Sequence, residues 1–259
     1  VLTLNQWFPR AFNDWRFVLL VMIGSLAIFP DLGNATILIL VSLLMYTISG
    51  IAYRWFSTIL GLLAGASILS LTAIRFIGVE KFSKIPVFGY VAKRFSAFFN
   101  PFNDLAGSGH QLANSYYAMV NGGWFGLGLG NSIEKRGYLP EAHTDFVFSI
   151  VIEEFGFVGA SLILALLFFL ILRIILVGIR ARDPFNSMVA IGIGGMILIQ
   201  VFVNIGGISG LIPSTGVTFP FLSQGGNSLL VLSVAIAFVL NIDASEKRAK
   251  LYRELEAQL

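Results

Sequence analysis

Six apolar runs, each close to the roughly 20 residues a helix needs to cross a bilayer, leave this chain few ways to fold. They fall at about 15–30, 33–51, 55–78, 146–172, 187–205 and 226–242. In hydrocarbon a backbone must satisfy its own N–H and C=O groups, so such runs read as helices. The expected fold is all-α: a polytopic helical membrane protein with six transmembrane spans. Composition agrees, with 56% hydrophobic and 12% charged residues, 24 Phe and 27 Gly. Cysteine is absent, which excludes a disulfide framework, a thiolate metal site and a thiol nucleophile. Two histidines cannot build a zinc site without carboxylates. No signal peptide precedes the first run; the opening residues read as a loop, and the chain reads as a fragment.

Punctuation between the runs supports the division. The first ends at Phe29-Pro30-Asp31-Leu32-Gly33, a helix stop followed at once by a restart. Gly61-Leu-Leu-Ala-Gly65 in the third is a small-xxx-small face of the kind that packs membrane helices. Arg10, Arg16, Arg54, Arg173, Arg180, Arg182, Lys247, Arg248, Lys250 and Arg253 fall in alternate connections, while loops 30–34 and 206–226 hold no Lys or Arg. By the positive-inside rule both ends of this chain are expected in the cytoplasm, and the long segment 79–145 outside.

That external segment reads as ordered. Lys81 to Arg94 mixes aromatic and basic residues as an interfacial stretch does, and Gln111 to Val120 suits a short amphipathic helix in the headgroup plane. The glycines at 122, 123, 126, 128 and 130 follow no strand, so they read as a tight turn and not as a phosphate-binding loop. Ser132-Ile-Glu-Lys135 matches S-x-x-K but lacks the partner motifs of a penicillin-binding nucleophile. Segment 206–227 is apolar yet too rich in Gly and Pro for one helix. Irregular backbone at that depth suits a re-entrant segment beneath an outward-facing cavity, with a plain crossing loop as the alternative.

The polar constellation lies just before the fourth run, where Glu134, Lys135, Arg136, Glu141, His143 and Asp145 fall within twelve positions. Buried charge near a membrane is costly unless used or paired. Thr144 or Asp145 could simply cap the helix. Alternatively Asp145, Ser149, Ile152 and Gly156 form a stripe down one helical face, with Glu153 beside it. A carboxylate with Lys135, Arg136 and His143 nearby suits a general base beside phosphate. Glu153 and Glu154 read as structural support, tied to helix ends or to Asn204.

Leu139-Pro-Glu-Ala-His-Thr-Asp-Phe146, followed by Glu153-Glu-Phe-Gly156, resembles the signature of the SEDS family of bacterial cell-wall synthesis, which includes the FtsW, RodA and SpoVE proteins. Pro30-Asp-Leu-Gly33, Gly107-Ser-Gly109, Gly126-Leu-Gly-Leu-Gly-Asn-Ser132 and Pro220-Phe-Leu-Ser-Gln-Gly-Gly226 resemble further family blocks in the expected order. The Gly-Leu-Gly-Asn-Ser-x-x-Lys form is closer to the division branch than to RodA. Asn34, His110, Gln224 and Asn227 depart from the residues common there.

The resemblance implies that these are the last six of ten spans, forming one membrane domain over 1–259. It further implies a peptidoglycan glycosyltransferase that polymerises lipid II into β-1,4-linked strands at the outer face of the cytoplasmic membrane, at the septum. Asp145 takes the family's essential loop aspartate. Lys135, Arg136, His143, Glu141, Arg94, Asp31 and Ser223 are the candidate substrate contacts, and Thr144, Glu153, Glu154 and Asn204 the supports. A divalent cation (Mg or Mn) is a candidate cofactor, with Asp145 its candidate ligand. The implied partners are lipid II, undecaprenyl-linked glycan, a class B penicillin-binding transpeptidase and other divisome membrane proteins. A lipid II flippase or a non-catalytic scaffold for the transpeptidase are the rival readings.

Overall fold

The computed structural model describes residues 32–48, 61, 65, 72, 89–105, 107, 109–256 and 258. Their secondary structure is helical throughout: α1 Leu32–Ile48, α2 Gly89–Phe99, α3 His110–Gly122, a single 3₁₀ turn at Glu134–Arg136, α4 Val147–Arg180, α5 Pro184–Ile208 and α6 Gly226–Glu256. Among the described residues α4, α5 and α6 are long and apolar enough to cross a membrane, and α1 is a shorter apolar helix. The span expected at 15–30 lies outside the described residues, as does that at 55–78 apart from residues 61, 65 and 72.

The helices overrun the apolar runs that announced them. Asp183 accepts a hydrogen bond from Asn186 N at 3.0 Å and Pro184 follows it, so α5 starts before its apolar run. α6 continues well past the run at 226–242 into a charged extension that carries Lys247–Asp243 and Lys250–Glu254 pairs at i,i+4.

α4 and α5 form the central pair. α1 packs on α5, α3 on α4, and α6 along both. Close approach uses glycines on α5: a Cβ at Gly192 or Gly195 would strike Met45 or Leu44 of α1, and one at Gly194 would strike Ile175 of α4. Small residues at such crossings let backbones approach where lipid offers no hydrophobic drive. By contrast, no described residue comes within 4 Å of a Cβ placed at Gly61 or Gly65, the motif expected to pack. The buried core runs from Ala118, Leu139, Ala142 and Phe146 through Ile171, Ile197 and Val201 to Val239, and Phe148 stacks on Phe219 at 4.6 Å. α3, the short amphipathic helix expected over 111–120, buries Leu112, Ala113, Ser115 and Ala118. Its Ser115 hydroxyl lies 2.7 Å from that of Ser149 on α4.

α4 is broken at Gly156, whose φ of 70° and ψ of −179° no helix contains. In an unbroken helix Phe157 N and Val158 N would bond the carbonyls of Glu153 and Glu154. Here those carbonyls accept from Leu127 N and Gly128 N, while Phe157 N and Val158 N donate to Gly123 and Trp124. Two intrahelical bonds are exchanged for four bonds to the glycine turn. Room for that exchange exists because a Cβ at Gly122, Gly126 or Gly156 would collide with the facing backbone.

Candidate functional site

The segment between α5 and α6 folds back beside the start of α4. Ser223 Oγ donates to Thr144 O at 2.7 Å and accepts from Phe219 N at 2.7 Å, and Gln224 N donates to His143 O at 2.8 Å. Asn204, buried on α5, donates to Asp145 O at 2.7 Å and Val217 O at 2.6 Å. One amide therefore holds the backbone of both segments at once. Gly33 of α1 meets Thr215 so closely that no Cβ would fit. Two non-glycine residues, Glu141 at φ 58° and Phe221 at φ 62°, take left-handed backbone in these latched segments.

Between them lies a cavity of about 20 Å³ lined by Arg94, Gln111, Asp145, Asn204 and Ser214 to Val217. Arg94 reaches it from α2 and donates to Ser214 O. A Cβ built on Gly216 would lie 2.9 Å from Arg94 Nη2 and 3.3 Å from Asp145 Oδ2, so the guanidinium and the carboxylate converge on one point. Gly216 has φ 77° and no side chain to fill that point.

Asp145 does not cap α4. The helix begins two residues later, and its N-cap position is taken by Phe146, which makes no side-chain cap bond. The polar stripe expected from Asp145 down α4 does not form either, because it presumed one helix through 145–156. Instead Ser149 turns to Ser115, and Glu153 turns to the 3₁₀ turn.

Glu153 is fully buried, accepting from Ser132 Oγ, Ile133 N, Glu134 N and, at 3.3 Å, Asn121 Nδ2. Glu154 pairs with Lys135. The two glutamates therefore brace the glycine-rich turn, not Asn204. Lys135, expected beside substrate, has its ammonium on Glu154 instead. Ser223 likewise has both hydroxyl functions engaged by backbone. Arg136 and His143 are exposed, and Thr144 Oγ1 donates to Glu141 Oε2 at 2.6 Å. Asp31 lies outside the described residues.

Glu134 is buried with Oε2 lacking a partner. Burial, and then the charge of Glu153, pushes its carboxyl above the ordinary range. Among the described residues no three His, Asp or Glu side chains gather into a metal cage. Asp145 is the single carboxylate lining the cavity, a donor set that fits only an ion completed by substrate phosphates and water. Asn204, expected as a support for Glu153 or Glu154, instead holds Asp145 O and Val217 O, and neither those partners nor the break at Gly156 is evident in the sequence. The only signals were a polar amide inside an apolar run and a glycine two residues after a pair of glutamates.

Long apolar helices crossing as a bundle, with a charged pocket at one end under a folded-back loop, define a polytopic helical membrane protein. The chain belongs to the cell cycle protein family of FtsW, RodA and SpoVE, whose sequence profile matches residues 6–248. It is 54% identical over 244 residues to the probable peptidoglycan glycosyltransferase FtsW of Lactococcus lactis subsp. lactis (strain IL1403), covering 94% of this chain and 58% of that one. It is 38% identical over 257 residues to the protein of the same description in Enterococcus hirae, covering 96% and 64%. A solved chain from work on "structural coordination of polymerization and crosslinking by a peptidoglycan synthase complex" superposes with a TM-score of 0.66. That match has 26% identity over 88% of this chain and 60% of the other. This chain thus spans less than two thirds of the length of these curated relatives.

Proposed function

We propose that the protein is a peptidoglycan glycosyltransferase that polymerises lipid II at the outer face of the bacterial cytoplasmic membrane, in the division machinery, with a class B penicillin-binding transpeptidase as partner. The observation that carries this reading is the convergence of Asp145 and Arg94 on Gly216, in a chain of this family. The cavity has room for a group of about the size of one water and not for a sugar ring, so it suits a single hydroxyl reaching in from a glycan bound outside. Asp145 acts as general base: it takes the proton of that acceptor hydroxyl as the oxygen forms a bond to the anomeric carbon of lipid-linked disaccharide. The bond from that carbon to pyrophosphate breaks, and undecaprenyl pyrophosphate leaves. Arg94, fixed by Ser214 O, supplies positive charge beside the developing anion. A divalent cation held by Asp145 and substrate phosphates would add charge neutralisation at the same place.

Asp145→Asn should leave the fold intact while abolishing polymer from purified lipid II, assayed with and without the transpeptidase. Polymer made at the wild-type rate refutes the assignment. Lipid II moving between leaflets without polymer would mark a flippase instead.

A further inference from the structure

The opposite end of the bundle holds a larger void, a cavity of about 400 Å³ between the ends of α4 and α6 and the short loop joining α4 to α5. Its walls are two helical stripes. Arg173, Leu176, Val177 and Arg180 recur at the spacing that shares one face of α4. Glu246, Lys247, Lys250 and Arg253 do the same on α6, and Arg182 closes the cavity from the loop. Six cations line the space and two acids oppose them. Both acids are engaged. Asp243 pairs with Lys247 at 2.6 Å, while Glu246 accepts from Arg182 N, Asp183 N and Asn186 Nδ2 and so clamps the loop to α6. Arg173, Arg180 and Arg182 form no ion pair among the described residues.

Orientation by loop charge would account for scattered cations near a membrane. It does not require cations from three elements to converge on one cavity that also has the apolar wall of Leu176 and Val177. The cavity opens where two spanning helices leave the bilayer, beside the exposed apolar residues Leu172 and Ile179 of α4. At that depth the abundant anion is a lipid phosphate, and basic pockets between spanning helices suit it. We propose that this cavity binds the phosphodiester headgroup of an anionic glycerophospholipid, the phosphate among the arginines and the glycerol along Leu176 and Val177. Assigning it to the inner leaflet rests on the loop-charge orientation; the binding itself does not.

The test uses purified protein in nanodiscs of phosphatidylcholine doped with phosphatidylglycerol, with retained lipid counted by native mass spectrometry. Phosphatidylglycerol should be retained in preference. The combined variant Arg173→Gln, Arg180→Gln, Lys250→Gln should lose about a hundredfold in retention, roughly fivefold per charge, or about 1 kcal/mol each. Arg182→Gln alone, at an exposed loop position, should lose about fivefold and serves if the triple variant does not fold. Arg248→Gln, on α6 but off the cavity, should change retention less than twofold. Undiminished retention in both cavity variants overturns the proposal. So does an equal loss in Arg248→Gln, which would reduce the effect to general surface charge. Displacement of the lipid by inorganic phosphate or soluble glycerophosphoglycerol would make this a soluble-phosphate site. A polyglutamate peptide binding where phosphatidylglycerol does not would make it a protein-docking site. Either result overturns the lipid assignment.

Discussion

Gly156→Ala adds one methyl group and should be among the most damaging small changes available to this fold. At φ 70° and ψ −179° the residue occupies a region that is essentially glycine's alone, and a side chain there carries roughly 1–3 kcal/mol of strain. The methyl would also overlap Gly126 N, Trp124 O and Phe125 N, which are backbone atoms and cannot swing aside as a flexible side chain would. The turn at 123–128 would have to withdraw. Withdrawal breaks the four bonds that join Leu127, Gly128, Gly123 and Trp124 to the two halves of α4, at about 1 kcal/mol net each. The total is roughly 5–7 kcal/mol, which for a chain of this size lowers Tm by on the order of 10–30 °C. Thermal unfolding in detergent, followed by tryptophan fluorescence, measures it. Gly130→Ala is the control: its φ of 85° carries the strain, but nothing lies within 4 Å of its Cβ, so it should lose only about 1–2 kcal/mol. Gly126→Ala invades the same contact from the other side, and with Gly156→Ala should fall well short of additivity. Gly156→Ala melting within about 3 °C of the parent, or Gly130→Ala proving equally damaging, would contradict this.

Three further outcomes are expected. Asn204→Ala leaves the carbonyls of Asp145 and Val217 without their donor and should lose about 2–3 kcal/mol in thermal unfolding. Asn204→Asp, which sets oxygens against those carbonyls, should be worse, and a milder effect would mean the amide is not the clamp. A double-mutant cycle with Lys135→Met and Glu154→Gln should give a coupling of about 1 kcal/mol in unfolding. If Lys135→Met instead removes polymerisation while leaving stability unchanged, the lysine serves substrate. The raised carboxyl of Glu134 stabilises the fold while protonated, fully so below the unfolded-state value, and that contribution is lost as pH rises through its folded-state value. Glu134→Gln should therefore raise Tm most at neutral pH, with the gain shrinking on acidification. A gain that grows toward acid pH contradicts this.

Local signals reached some of these features and not others. The Asp-Pro start of α5 and the i,i+4 pairs of α6 could be read locally, since each depends on neighbours in the chain. The start of α4 could not: Thr144 and Asp145 are good capping types, yet the latch from Ser223 and Asn204 holds them in the preceding loop. The stripe failed for a related reason. Helical periodicity holds only within the helix: Asp145 lies in the loop before Val147, and the break at Gly156, which ends the stripe, depends on a turn some thirty residues earlier. Lys135, next to Arg136, and Arg94, next to Lys93, look alike as basic residues of the long segment 79–145. Only packing decides that one faces Glu154 and the other the cavity with Asp145.

The class of protein and the apolar runs that become α1, α4, α5 and α6 are legible in the residues alone, because the free energy of placing a side chain in hydrocarbon is a property of that residue. Through resemblance the sequence also singled out Asp145 from its charged neighbours. The tertiary structure decided what surrounds that aspartate: Arg94 from α2, the empty Cβ position of Gly216, and Asn204 gripping two segments together. Those relations join residues from separate parts of the chain, and they arise only when the backbone hydrogen bonds of the broken helix and the folded-back loop find partners in each other.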